Sequence, residues 1–134
     1  MLKNIIMNNL IIDAAVDKIF LTLIIDKNIY TCRHENSKIN FEKLIVLIID
    51  FLDNNKISLS KITTIYVNRG PGSFAGIRNS LSVAKALFLS KKIDYYCFSF
   101  EDFDKYEKIA YEEVPNLCNK FKIKKNLINP IYIS

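Results

Sequence analysis

Val67-Asn68-Arg69-Gly70-Pro71-Gly72-Ser73-Phe74-Ala75-Gly76-Ile77-Arg78 is the stretch on which the fold of this chain turns. It follows a β-branched and aromatic segment, Thr63 to Val67, that reads as a strand. It leads into a helical pattern from about Ile77 to Ser90. The protein's glycines, at positions 70, 72 and 76, all fall inside it. Glycine permits positive φ and close backbone approach, and Pro71 stiffens the turn between two of them. N–H groups at the start of the next helix suit an anion or a carbonyl oxygen. A tight strand-to-helix turn without a ligand is the competing reading of the same residues. Common nucleotide loops do not fit. Gly76 is followed by Ile77-Arg78 where a Walker loop ends in Gly-Lys-Ser/Thr, and the glycine spacing is not that of a dinucleotide fingerprint.

Upstream of the loop, Leu10 to Ala15, Lys18 to Ile25 and Ile29 to Arg33 read as strands, the last two joined by the turn Asp26-Lys27-Asn28. After a polar stretch, His34 to Lys38, a helix is expected from Asn40, as its N-cap, to Asn54. Downstream, Asp94 to Phe98 reads as a fifth strand, and Ser99 caps a helix starting near Glu101. Glu112 to Lys125 reads as helical in part with a boundary at Pro115, and Asn129 to Ser134 as extended. This order predicts an α/β domain with a three-stranded antiparallel meander and two parallel strands joined by right-handed crossovers. That is the topology of an actin-like, ribonuclease-H-like lobe.

With 134 residues the chain makes one domain, and 50% hydrophobic against 25% charged residues exclude a disordered polymer. The net charge of +5 permits a polyanionic partner without establishing one. Lys120, Lys122, Lys124 and Lys125 form a basic cluster that reads either as a solvated tail or as a surface near RNA. Cys32, Cys97 and Cys118 are odd in number and form no C-x-x-C pair, which argues against a disulfide framework or zinc knuckle and for reduced thiols in the cytoplasm. Asn8, Asn9 and Asp13 interrupt the N-terminal apolar stretch, and the longest apolar run, Leu44 to Ile49, is too short to span a membrane. His34 is the sole histidine and reads as a surface residue, so no nucleophile–His–acid set is assembled.

The helix patterns carry an apolar excess. On the first helix Phe41, Leu44, Ile45, Ile48 and Leu52 form one face, opposite Glu42, Lys43, Asp50 and Asp53. Val46 nevertheless falls among the charges, with Leu47 and Ile49 on the flanks. On the helix after the loop, Ile77, Leu81, Ala84 and Phe88 fit a buried face, while Ser82, Val83, Ala86 and Leu89 lie elsewhere and are small or apolar. Deeper burial by the chain itself and contact with another protein both account for this.

Val67 to Arg78, with Ala84-Lys85-Ala86-Leu87 on the following helix, closely resembles the TsaB (YeaZ) family, whose pattern is roughly G-R-G-P-G-S-F-T-G-x-R and then a helix carrying A-x-G-L. The family loop motif thus comprises Arg69, Gly70, Pro71, Gly72, Ser73, Phe74, Gly76 and Arg78. Leu10-Ile11-Ile12-Asp13 resembles the family's first strand, Ser99 falls at a family helix start, and Asn129-Pro130-Ile131-Tyr132-Ile133 resembles its closing tail. The resemblance covers roughly residues 8 to 104 and that tail.

The resemblance implies an inactive relative of the actin-like ATPase and sugar-kinase superfamily. It would be a non-catalytic subunit beside a TsaD-like catalytic subunit and a TsaE-like ATPase. Their reaction places threonylcarbamoyl on the adenosine next to the tRNA anticodon, so this chain would meet tRNA indirectly. No catalytic residue, cofactor or metal is implied. Asp13 would be a degenerate phosphate-motif position, because Ala14 and Ala15 after it offer no side-chain donors. The family pairs through its first two helices, which implies a partner interface of Val46, Ile49, Ser82, Val83, Ala86 and Leu89, with homodimerisation expected in isolation. A histidine common near the start of the family's first helix aligns with Asn40. Most of the family's second lobe is missing, so residues 1–104 are expected to form the lobe and 105–134 a short helical segment and tail in place of the second. The alternative is a nucleotide-binding or hydrolytic protein of the same superfamily using the glycine loop directly. That needs a pair of metal-binding carboxylates, for which only Asp13 is a candidate.

Overall fold

A computed structural model describes residues 7–104 and 108–133. Five strands form one mixed sheet in the order β3-β2-β1-β4-β5. They are β1 (Asn8–Asp13), β2 (Lys18–Ile25), β3 (Asn28–Glu35), β4 (Thr64–Asn68) and β5 (Asp94–Phe98). β1 pairs antiparallel with β2 and parallel with β4, placing Ile12 opposite Leu21 on one side and Val67 on the other. β4 and β5 are parallel, with Val67 opposite Cys97. The meander and the two parallel strands are therefore present as the element order requires.

Both faces of the central strands are covered, so β1 and β4 are buried almost throughout and carry unbroken apolar centres, Leu10-Ile11-Ile12 and Ile65-Tyr66-Val67. Leu10, Ile12, Ile65 and Val67 point to a core closed by α1 (Lys38–Glu42), α2 (Leu44–Asn54) and α3 (Phe74–Lys91). Ile11 and Tyr66, one residue out of phase, point to the opposite face. There they meet Phe98, Phe103, and Val114, Leu117 and Cys118 of α4 (Val114–Lys120).

The bounds of β2 and β5 fall where expected. Several other boundaries differ, each for a local reason. The polar stretch begins later, because His34 and Glu35 extend β3 against Ile19 and Lys18. Asn40 is not the N-cap: the Ser37 hydroxyl accepts from the Asn40 backbone N–H, so the helix starts at Lys38. That helix is two, divided at Lys43, whose φ of −106° and ψ of 26° leave the helical region. α3 begins at Phe74 because Ser73 caps it, accepting from the Gly76 N–H. Leu87, rather than Phe88, completes its buried face. The helix expected at Glu101 is a single 3-10 turn, Phe100–Phe103, closed by a capping box between Ser99 and Asp102. Pro115 lies within the first turn of α4, where its missing N–H has no intrahelical partner to lose. The first residues of the expected 105–134 segment and its last, Ser134, lie outside the described residues.

Candidate functional site

The glycine loop is packed from two sides by backbone. A Cβ at Gly76 would strike the carbonyl oxygen of Ala14 and press on the Phe41 ring, so the helix lies directly on the β1–β2 turn. Gly70 has a φ of +109° and faces the carbonyl oxygen of Ile131 in the C-terminal tail. The Gly70–Pro71 peptide is cis. Three of the loop's N–H groups are spent internally. Gly70 donates to Asn68 Oδ1 (2.8 Å), Ser73 to the Ala15 carbonyl (2.9 Å), and Gly76 to Ser73 Oγ (3.3 Å). The tail joins the same structure: Ile131 donates to the Arg69 carbonyl (2.7 Å) and Ile133 to that of Gly72 (3.2 Å).

Arg69 fastens this assembly with its side chain. Its guanidinium grips Asp102 through Nη2 (2.7 Å) and Nε (3.3 Å), and donates to the Asn129 carbonyl through Nη1 (3.0 Å). Phe74 and Arg78 lie at the helix start, Phe74 packing on Tyr132 and Arg78 stacking over Phe74. The loop motif thus acts as a joint between β4, α3 and the tail.

Asp13 sits at the carboxyl end of β1 and is 1% exposed. Its carboxylate accepts from the Ala15 N–H (3.1 Å), Asn68 Nδ2 (3.1 Å) and the Tyr111 hydroxyl (2.6 Å). Tyr111 arrives from the C-terminal segment and rests beside Phe20 and Phe100. A cavity of about 590 Å³ opens alongside, lined by Asp13, Phe20, Phe100, Lys108 and Tyr111 among others. Among the described residues no group of three or more His, Cys, Asp and Glu side chains is placed to hold a metal. His34 is half-buried on β3, its Nε2 3.7 Å from Cys32 Sγ.

Burial, and then the neighbouring Asp13 charge, hold the Tyr111 hydroxyl protonated well above the ordinary tyrosine range. Tyr66 is raised as well, chiefly by burial. The unfolded chain releases these protons near pH 10 while the folded one keeps them. The stabilisation is therefore complete below pH 10 and declines as pH rises above it. Denaturant titrations from pH 8 to 11.5 should show that decline, and it should be shallower in Tyr111→Phe. Burial likewise raises the Cys97 and Cys118 thiols to about 12.

The six helix residues of the expected interface fall in different environments. On α2, Val46 is 49% and Ile49 40% exposed, while Leu47 and Phe51 are buried. On α3, Ser82, Ala86 and Leu89 are exposed, whereas Val83 is half-buried and packs on the main core. Three of them, Ser82, Ala86 and Leu89, line a groove of about 460 Å³ between α3 and the tail, together with Arg78, Leu81, Lys85, Ile128 and Tyr132.

The family model described as "TsaD: tRNA N6-adenosine threonylcarbamoyltransferase" matches residues 35–99, a span holding α1 to β5 and the whole glycine loop. A curated relative from Buchnera aphidicola subsp. Schizaphis graminum, named tRNA threonylcarbamoyladenosine biosynthesis protein TsaB, is 33% identical over 90 residues. The match takes in 67% of this chain and 43% of that protein. The chain belongs to the TsaB (YeaZ) family. A second TsaB protein, from Buchnera aphidicola subsp. Baizongia pistaciae, is 34% identical over 71 residues, 46% of this chain and 32% of the relative. Among solved structures, YeaZ from Pseudomonas aeruginosa superposes with a TM-score of 0.64 at 22% identity, over 69% of this chain and 44% of YeaZ. That likeness fixes the fold of this TsaB-family chain as a single actin-like ATPase-type lobe. The chain spans less than half the length of the TsaB relatives it matches. Among the described residues of this TsaB-family chain no helix is long and apolar enough to cross a membrane.

The sequence reading missed Tyr111 as the partner of Asp13 and Asp102 as the partner of Arg69. The first pair is 98 residues apart and leaves no local signal. The second had one: Ser99-Phe100-Glu101-Asp102 is a capping-box pattern that places Asp102 at the end of β5.

Proposed function

We propose that this chain is a non-catalytic partner subunit of a TsaD-containing complex that installs threonylcarbamoyl on the adenosine beside the tRNA anticodon, working in the cytoplasm. The observation that carries the proposal is the apolar exposure on two neighbouring helices of a TsaB-family lobe. Val46, Ile49 and Leu89 are each at least 40% exposed, and small residues, Ser82 and Ala86, lie between turns on α3 where another helix can approach closely. The partner in this reading is a TsaD-like catalytic subunit, with a TsaE-like ATPase and tRNA joining through the complex. The same helices would serve for self-association when the chain is alone. Residues 108–133 act as a cover for the lobe, capping its sheet face and Asp13.

A directly catalytic use of the loop fits less well. The Asp13 carboxylate already accepts from three donors of the chain, and the loop amides of Gly70, Ser73 and Gly76 are bonded to the chain's own oxygens.

Co-purification with the TsaD homologue of the same cell, followed by calorimetry, tests the proposal. Val46→Glu and Ala86→Glu place a carboxylate where the partner must exclude water, so each should weaken association about tenfold or more. Both positions are exposed, so the melting temperature should stay within a few degrees. Unchanged affinity in both variants would remove this surface from consideration. Failure of the unmodified chain to associate would remove the role itself.

A further inference from the structure

From Val114 to the C-terminus the chain carries lysines at 120, 122, 124 and 125 and no acidic residue. This segment is not a loose tail. Ile123 donates to the Cys118 carbonyl (3.0 Å). Lys125 forms a bridge with Tyr96, and the Asn126 backbone and side chain exchange hydrogen bonds with Tyr95 (2.7 and 2.9 Å). The segment thereby runs along the outer edge of β5. The nearby carboxylates are already matched to cations: Asp94 pairs with Lys125 (3.6 Å) and Asp102 with Arg69 (2.7 Å). Lys120, Lys122 and Lys124 remain exposed on this pinned backbone, and no ion pair reaches them among the described residues.

Lys122 stands between two depressions. One, of about 180 Å³, also takes in Lys124. The other, of about 320 Å³, is lined by Asn119 and by Tyr66 and Tyr96, whose rings stack at 5.3 Å and 13°. Lys120 lies over the Phe121 ring, and ammonium groups without a carboxylate partner suit successive phosphates. A half-buried tyrosine beside an amide suits an unstacked base.

We propose that the Lys120–Lys124 strap and the Tyr96 depression form a docking site for single-stranded nucleic acid, reading its backbone by charge and one base by stacking. The site lies on the C-terminal strap and β5, so it stands independently of the helix-pair interface.

The test uses the full chain and fluorescein-labelled 20-nucleotide uridine and thymidine oligomers, followed by anisotropy from 50 to 300 mM salt. Binding of the uridine oligomer alone assigns the strand as RNA, and equal binding assigns the site to either backbone. The triple variant Lys120→Gln/Lys122→Gln/Lys124→Gln should bind about tenfold more weakly at low salt. It should also lower the slope of log affinity against log salt by about 2, since each phosphate contact on a single strand contributes about 0.7. Tyr96→Leu should weaken binding about tenfold with the slope unchanged. A charge-matched control, Lys27→Gln/Lys38→Gln/Lys43→Gln, should leave both quantities nearly as they were. Equal losses in the two triple variants would reduce the effect to net charge and overturn the site. So would an unmodified chain that binds neither oligomer, or one that binds only phosphatidylserine vesicles.

Discussion

Gly76→Val should abolish the native fold, or lower its stability by about 4 kcal/mol or more in urea titrations. A Cβ there would overlap the carbonyl oxygen of Ala14 and meet the Phe41 ring at 3.2 Å. Relief by side-chain rotation is closed off, because the main obstacle is backbone at the end of the central strand, and Ala14 is 1% exposed. The helix would have to lift from the β1–β2 turn, giving up the contact of Ile77 with the main core and the Ser73 hydrogen bond to Ala15. Typical domains hold only about 5–15 kcal/mol in reserve. Lys85→Val, on the exposed side of the same helix, should cost only about 0.5 kcal/mol through helix propensity. Near-equal stability of the two variants would show that α3 does not need its close approach to Ala14.

Asp13→Ala should cost about 3 kcal/mol and release the C-terminal segment to proteases. Three donors, on Ala15, Asn68 and Tyr111, would lose their acceptor in a buried place, and each unsatisfied buried group costs about 1–3 kcal/mol before relaxation. Tyr111→Phe removes one of those donors and leaves the carboxylate its other two, so about 1 kcal/mol is expected. Limited proteolysis separates the two effects, because Tyr111 is the hydroxyl that ties residues 108–121 to β1. A wild-type melting curve for Asp13→Ala would mean that the carboxylate is not a structural acceptor, and would return it to consideration as a ligand-binding group.

The sheet was readable because its signals are local. β2 and β5 carry β-branched and aromatic residues between turn formers, and their ends fall at Lys18, Ile25, Asp94 and Phe98. Helix starts were less readable, since two serines compete with nearby candidates. Ser37 takes the cap from Asn40, and Ser73 draws Phe74 to Gly76 out of the loop into α3. The break at Lys43 leaves no trace in composition, because lysine is a good helix former and the apolar stripe continues across it. Of the site, the loop's identity was visible in its motif, and its backbone contacts were not. Gly70 and Gly76 face carbonyls of Ile131 and Ala14, and nothing in a linear pattern names those partners. The lysine cluster was visible as charge. Its attachment along β5 depends on Asn126 reaching Tyr95, a pairing across 31 residues.

The way the tail closes on the loop bears on how the chain is made. Arg69 and Gly72 receive the N–H groups of Ile131 and Ile133, while Ser73 is held by Ala15 near the other end of the protein. During synthesis, the β1–β2 turn and the loop can meet while later residues are still on the ribosome. The partners from the tail follow Arg69 by 60 residues and more, so the loop's second set of contacts forms later than its first. Until Phe103 and the segment from Val114 to Asn126 have packed, the nascent lobe exposes the edge of β5 and the apolar face of Ile11, Tyr66 and Phe98. That interval is where a chaperone, or an early partner, would find the most to hold.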